Sequence, residues 1–289
     1  MRKLVLVAGV TCLLFVFSSV ASGASLAPLV YNAFPPPPLP GNVSSVGFEC
    51  CQVSEFGDEI RLSKTGAHLS RMLVVMSSWA CETGTWDGGD CTTTPGATFS
   101  VPITFHVYKV VAGTPDTVGA AIVNKTQTFN IPYRPTSTPA QCGGDTTAWY
   151  SAMDATCYHG LAKKIRMDFP AGWVLPKKVI VTVSYNTSTS GYSPIGVAGP
   201  YDSLNIGTKT LTGQPTVGQD VDPNAIVQYA SGYNYCDNGV VNVLRVDGEC
   251  WGGLTPLIRI RASQRSGRSH TAQARPVSAR RVLNSRGRT

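Results

Sequence analysis

Val179-Ile-Val-Thr-Val-Ser-Tyr185 decides how the rest of this 289-residue chain is read. β-Branched side chains are stiff at χ1 and suit a pleated, half-buried surface better than a helix. The same signature recurs on both sides of it. Ile103, Phe105 and Val107 alternate with Thr104, His106 and Tyr108, a period of two with one face in and one face out. Thr126–Ile131 stops at Pro132, and Lys164–Phe169 stops at Pro170. Met72–Met76 is apolar throughout, as in a strand buried on both faces. Val241–Val246 and Leu257–Arg261 complete the set, the latter with Ile258 and Ile260 inward and Arg259 and Arg261 toward water. Short strands punctuated by Gly, Pro, Asn and Ser, with no βαβ alternation and no amphipathic helix, predict an all-β fold. The expected architecture is one antiparallel β-sandwich, jelly-roll-like, with long disulfide-stapled loops. The long connections are residues 132–160 and 186–215, and long ordered loops are often functional.

The flanks differ from this core. Met1, Arg2 and Lys3 make a short positive start, Leu4–Val20 is mostly apolar, and Ala21-Ser-Gly-Ala24 is small. That order describes a secretory signal peptide over residues 1–23, cut after Gly23 or Ala24. Residues 24–44 carry Pro35–Pro38 and Pro40 and read as a linker, because a proline run cannot join a sheet interior. The sandwich domain is expected over 45–261. Residues 262–289 are rich in Arg, Ser and Ala and read as a disordered tail. After cleavage no apolar stretch is long enough to span a bilayer, so the expected location is extracellular.

Eight cysteines follow the leader: Cys50, Cys51, Cys81, Cys91, Cys142, Cys157, Cys236 and Cys250. An even count in an exported chain reads as a disulfide framework. Short spacing favours three local bridges, Cys81–Cys91, Cys142–Cys157 and Cys236–Cys250, each worth about 3 kcal/mol by loop closure. The adjacent Cys50 and Cys51 are open between a vicinal bridge, partners elsewhere and free thiols. The close Cys-x-x-Cys pairs of zinc sites are absent from the sequence.

The formal charge of +7 is concentrated at the ends. Of the 24 Lys and Arg, two leave with the leader and seven stand in the tail, which leaves 15 against 17 acids, a net of −2 for the domain. A nearly neutral domain lacks the clustered basic footprint of a specific nucleic-acid binder. The tail itself, with Arg265, Arg268, Arg275, Arg280, Arg281, Arg286, Arg288 and no acid, suits either an anionic polymer or a purely solubilising role.

Six motifs recur together here: Gly47-Phe-Glu49, Ser54-Glu-Phe-Gly-Asp58, Met76-Ser-Ser-Trp-Ala-Cys81, Thr94-Pro-Gly-Ala-Thr-Phe99, Ile131-Pro-Tyr-Arg-Pro135 and Pro200-Tyr-Asp-Ser-Leu-Asn205. The set resembles an uncharacterised family of secreted bacterial β-sandwich proteins, over roughly residues 29–262. The resemblance implies an extracellular β-domain and brings no catalytic residues with it. The chain departs from the family at Cys50-Cys51, where the family has small residues, and in its arginine tail.

Candidate sites are few. There is no Gly-x-Ser-x-Gly elbow and no His-Glu-x-x-His. His68, His106 and His159 are the domain's histidines, and His106 falls on the outward face of its strand, where a surface histidine is the ordinary expectation. Glu49, Glu55, Asp58 and Glu59 cluster in sequence, but glycosidase chemistry needs two acids across a cleft, which spacing alone does not place. Asp87 and Asp90, and Asp220 and Asp222, lie in turns that could contribute to a calcium site or serve only as turns. No cofactor is otherwise implied. Trp86, Trp149 and Tyr150, on disulfide loops, are the candidate ligand-binding residues. Their rings either stack on sugars or, with Tyr158, pack over the disulfides as a satellite core. Trp79, Trp173 and Trp251 are assigned to the core. The sequons at Asn42, Asn124 and Asn186 are short enough to occur by chance. The leading expectation is a non-enzymatic extracellular binding or surface-associated module, with polysaccharide or cell wall as partner. A glycosidase-like hydrolase and a structural envelope component are the alternatives.

Overall fold

The computed structural model describes residues 26–47, 52–185, 203–210, 215–221, 224–230, 240–247 and 251–263. Its strands are β1 (Leu29–Asn32), β2 (Ser45–Gly47), β3 (Val53–Arg61), β4 (Ala67–Ser78), β5 (Thr98–Val111), β6 (Thr117–Pro132), β7 (Trp149–Ser151), β8 (Thr156–Tyr158) and β9 (Leu161–Asp168). They continue with β10 (Val174–Leu175), β11 (Lys178–Tyr185), β12 (Leu204–Thr210), β13 (Gln219–Asp220), β14 (Ile226–Tyr229), β15 (Arg245–Val246), β16 (Leu254–Pro256) and β17 (Ile258–Ser263). Among the described residues no helix is long and apolar enough to cross a membrane. The fold is all-β, two antiparallel sheets and a small hairpin, as the period-two pattern implies.

β11, which holds Val179–Tyr185, lies inside the second sheet, whose order is β15-β14-β3-β11-β5-β6. It pairs with β3 from Lys178↔Arg61 to Ser184↔Glu55 and with β5 from Val179↔Lys109 to Tyr185↔Ile103. Val179, Val181, Val183 and Tyr185 enter the core between the sheets. Ile180 and Thr182, on the opposite face, are also fully buried. Two register shifts in the β5–β6 ladder, around Val107–Val110, bend that hairpin, and β15 at one edge comes beside β6 at the other. Bulges bend a strand and increase its twist. The curled sheet therefore shelters side chains on both faces.

The first sheet has the order β1-β17-β4-β12-β16, with β9 and β10 also paired to β4. Met72, Val74 and Met76 face Phe56, Ile103, Phe105 and their neighbours across the core. Val75 points the other way and is just as buried, against Phe34 and Leu257, with Leu39 and Val43 packed alongside. This accounts for the unbroken apolar run in β4. Fully burying each such side chain stabilises by about 1.5–3 kcal/mol.

The 24–44 assignment as a linker is therefore corrected. The prolines do stay out of the ladders, but Leu29–Asn32 pairs with β17, and Phe34, Leu39 and Val43 cover the sheet's outer face. Arg259 and Arg261, expected in water, hold this segment down. Arg259 lies 4.4 Å over the Phe34 ring and donates to Asn32 Oδ1 at 2.7 Å, while Arg261 Nη1 donates to the Ala27 carbonyl at 2.8 Å. At the other boundary β17 runs on to Ser263 with Ala262 buried, so the domain extends past 261.

Other differences follow from context. The connection 186–215 hides β12, which carries buried Leu204 and Ile206 in the first sheet. Of Val241–Val246 only the last two residues pair, and Val240, Val241 and Val243 are exposed.

β4 gives the sandwich two poles. Its start at His68 lies opposite Ser263, and β1 begins opposite Arg261, so the first and last described strands have their outer ends toward that pole. Its last residue, Ser78, lies opposite Leu161 at the start of β9. At about 3.4 Å per residue the two poles stand roughly 40 Å apart.

Candidate functional site

Four strand ends converge on the far pole. β4 leads into residues 79–97, which return as β5; β6 leads into 133–160, which return as β9. Both expected bridges of this region are formed. Cys81–Cys91 closes the first loop and Cys142–Cys157 the second. Cys50, Cys51 and the proposed Cys236–Cys250 pair lie outside the described residues.

The loops are organised around a polar centre, Arg134, which is fully buried. Its Nη1 donates to the Thr147 carbonyl at 2.7 Å, Nη2 to Ser137 Oγ at 3.1 Å and Nε to the Pro135 carbonyl at 3.2 Å. Its own amide donates to the Ala80 carbonyl, tying the second loop to the first. Burial pushes the guanidinium down to about 10, opposed by the Asp145 charge, and it stays charged at neutral pH. Asp145 accepts from Thr147 Oγ1 at 2.6 Å, the Thr147 amide at 2.9 Å and His159 Nε2 at 3.0 Å. These bonds, led by Thr147, hold its carboxyl at about 2.

Aromatic rings fill the space between the loops. Trp79 stacks on His159 with centroids 6.2 Å apart and meets Trp86 edge-on at 4.7 Å. Its indole donates to Ser77 Oγ, which donates on to Asn42 Oδ1. Trp86 is half-buried, and its Nε1 has no hydrogen-bond partner among the described residues. Trp149 is only 8% exposed and donates to the Gly160 carbonyl at 2.8 Å. Tyr150, the next residue on the β7 strand, points the other way and is exposed. The structure therefore does not bring Trp86, Trp149 and Tyr150 together as one ligand face. Trp149 is internal because strand alternation turns it toward the Gly160 backbone, and its ring packs with Tyr158. Tyr158 donates to Asp154 Oδ2, which also receives the Gly41 amide.

What the loops do present is a cleft of about 410 Å³, lined by Thr93, Pro95, Gly96, Ala97, Pro132, Tyr133, Pro135, Thr136 and Leu161. One wall is a β-turn, Thr94-Pro95-Gly96-Ala97, closed by Ala97 N–H to Thr94 O at 2.9 Å. Pro95 supplies the fixed φ of the second position, and Gly96, at φ +87°, the left-handed third position of a type II turn. The other wall is Tyr133, whose ring packs against Phe99 at 5.1 Å. Thr93 and Thr136 link the walls through Thr93 N–H to Thr136 Oγ1 at 2.9 Å. Sequence reasoning did not nominate Tyr133. Its signal was two proline-bracketed segments, each beside a strand end, and nothing in the sequence says they face each other.

A second polar cluster lies on the outward face of the curled sheet. His106 is not a surface residue but 9% exposed. Its Nε2 lies 3.0 Å from Ser184 Oγ and 3.9 Å from Glu55 Oε1. Glu55 accepts hydrogen bonds from Tyr108 and Thr182. Burial lowers the His106 pKa, and the Glu55 charge offsets part of that. Nδ1 is buried without a partner among the described residues, so a proton there would be an unsatisfied donor. The favoured tautomer therefore carries its proton on Nε2, facing Ser184 and Glu55, and cannot take one from Ser184. A nucleophilic triad needs the opposite arrangement, with the acid at the second ring nitrogen.

Among the described residues no three His, Cys, Asp or Glu side chains converge as metal ligands. Asp90 Oδ1 accepts the Thr85 amide, the turn-forming role, and Asp222 lies outside the described residues. No family model, curated protein or solved structure matches this chain, so the site's own geometry carries the functional argument.

Proposed function

We propose that the chain is an extracellular, non-enzymatic binding module that recognises polysaccharide at the disulfide-braced pole. The observation that carries this reading is the cleft between the Thr94–Ala97 turn and Tyr133. Its shape is fixed by prolines, a disulfide-closed loop and the buried Arg134 before any ligand arrives. Preorganised aromatic and proline surface binds without a large ordering cost. The signal-like leader and the bridges fit an exported protein. Co-sedimentation of residues 25–289 with bacterial cell walls and insoluble polysaccharides tests the reading, beside a chain ending at Ser263 so that β17 is kept whole. Binding that survives removal of the arginine tail supports it; binding lost with the tail means charge attraction alone.

A hydrolase is the second reading; its one candidate cluster among the described residues, Ser184–His106–Glu55, places serine and acid on the same ring nitrogen and so works against it. It requires that some polymer be cleaved and that Ser184→Ala and Glu55→Gln each abolish the cleavage.

A further inference from the structure

We infer, building on the binding-module reading, that the cleft takes an uncharged sugar ring laid against Tyr133 and turns away anionic polymers. Among the described residues no charged side chain lines it. Arg134, next in sequence to Tyr133, is fully buried and spends its donors on Thr147, Ser137 and Pro135. A fixed negative charge is held against the turn. Glu82 Oε2 accepts the Thr94 amide at 2.6 Å, and that bond holds its carboxyl below the usual range, so it stays ionised. A uronic acid or phosphate at this wall meets repulsion from Glu82 and finds no cation among the described lining residues.

Several polar groups of both walls are already bonded to one another. Ala97 N–H bonds Thr94 O, Tyr133 N–H bonds Ala97 O, and Thr93 and Thr136 bond each other. A peptide that adds as a strand needs a run of free backbone groups, and the bonded Ala97 and Tyr133 amides interrupt one here. The Tyr133 ring lines the cleft between rigid prolines, half-buried and packed on Phe99. Such a surface suits the C–H face of a pyranose, whose hydroxyls stay in water. The arginine tail then acts independently of the cleft.

The test compares cellulose, mannan and chitin particles with carboxymethylated cellulose, at about 0.05 M and about 0.5 M NaCl, where screening differs strongly. Residues 25–289 and the chain ending at Ser263 are both used. Expected is binding to at least one uncharged particle by both chains, changed less than about twofold by salt. Tyr133→Ala weakens it at least about tenfold, the loss of roughly 1.4 kcal/mol of ring contact, while Tyr133→Phe retains it. Ala97→Trp, which fills the cleft from the turn, blocks it and serves where Tyr133→Ala does not fold. Binding only to the carboxymethylated particle, lost in high salt, overturns the neutral-sugar inference and leaves a binding module standing. Uncharged binding untouched by both Tyr133→Ala and Ala97→Trp overturns the assignment to this cleft. Saturation by a proline-rich peptide with no particle bound replaces sugar by peptide. No binding to any particle or peptide overturns both readings.

Discussion

The sandwich interior and the loop pole are held together by different chemistry. Around Phe56, Ile103, Met72 and Ile258 the core is mostly apolar, and its cohesion is the non-directional burial of side chains against two sheets. At the pole the deepest side chain is a cation, Arg134, and the surrounding backbone is held by directed bonds, two disulfides and a row of indoles. Apolar burial tolerates small shifts, whereas a fork of three donors does not. The pole thus gains a defined shape on irregular backbone, and it becomes sensitive to the loss of single atoms.

The largest expected effect belongs to the core. Phe56→Ala removes a buried ring that meets Trp251 edge-on and should cost about 3–5 kcal/mol in urea unfolding. If far-UV dichroism and tryptophan fluorescence lose their midpoints together, pole and sandwich form one cooperative unit. If fluorescence from the Trp79 cluster lags, they unfold separately and the comparison becomes sharper.

Opening the pole should cost nearly as much. A Cys142→Ser, Cys157→Ser double variant is expected to lose about 3 kcal/mol. Under mild reduction with alkylation and mass mapping, Cys142 and Cys157, which are partly exposed, should label before Cys81 and Cys91, which are buried. Simultaneous labelling of all four would mean that the pole opens as a whole.

Arg134→Ala comes next, at about 2 kcal/mol, because it strands the partly buried Thr147 carbonyl and empties a fully buried site. Arg134→Lys should recover only part of this, since an ammonium cannot place three donors in the same fork.

Acid should address the regions in turn. The folded-state pKa of His106 is depressed, so the folded protein binds fewer protons than the unfolded chain below about 6.5. That stability is present above about 6.5 and is lost as pH falls toward the folded value. Asp145 also has a depressed pKa, and its contribution vanishes only between its ordinary value of 3.8 and about 2. Melting temperature against pH should show an upper step removed by His106→Gln and a lower one removed by Asp145→Asn. A single step abolished by either variant would show that the two clusters are coupled.

The smallest effect is expected at Trp86. Trp86→Phe keeps the edge contact with Trp79 and removes an indole N–H that has no partner among the described residues. Stability should stay within about 1 kcal/mol, on the favourable side.

Much of the fold was legible because strand alternation is local information. Ile103, Phe105 and Val107 face inward as their spacing implies, and the two described bridges follow from short loops. The failures were long-range. Leu204–Thr210 reads as loop until Met76 and Val46 lie beside it, and Phe34 reads as linker until Leu257 offers a surface. His106 alternates outward as expected, but only the curl of the sheet decides that outward is buried. The candidate site was legible as a region and not as a set of residues. The loops and their cysteines marked the pole, whereas the pairing of Tyr133 with the Pro95–Gly96 turn depends on how β5 and β6 end against each other.

The pairing of β1 with β17 has a mechanical consequence. Tension applied through Leu29 and Ser263 enters at one pole and pulls on neighbouring antiparallel strands from the same side. Such a load peels β1 away bond by bond instead of shearing the ladder. Strain would be relieved at Leu29–Asn32 while the opposite end, with its turn and its ring, stays unloaded. Held by its ends, the domain is a short cantilever whose yielding element is a strand at the edge of the first sheet.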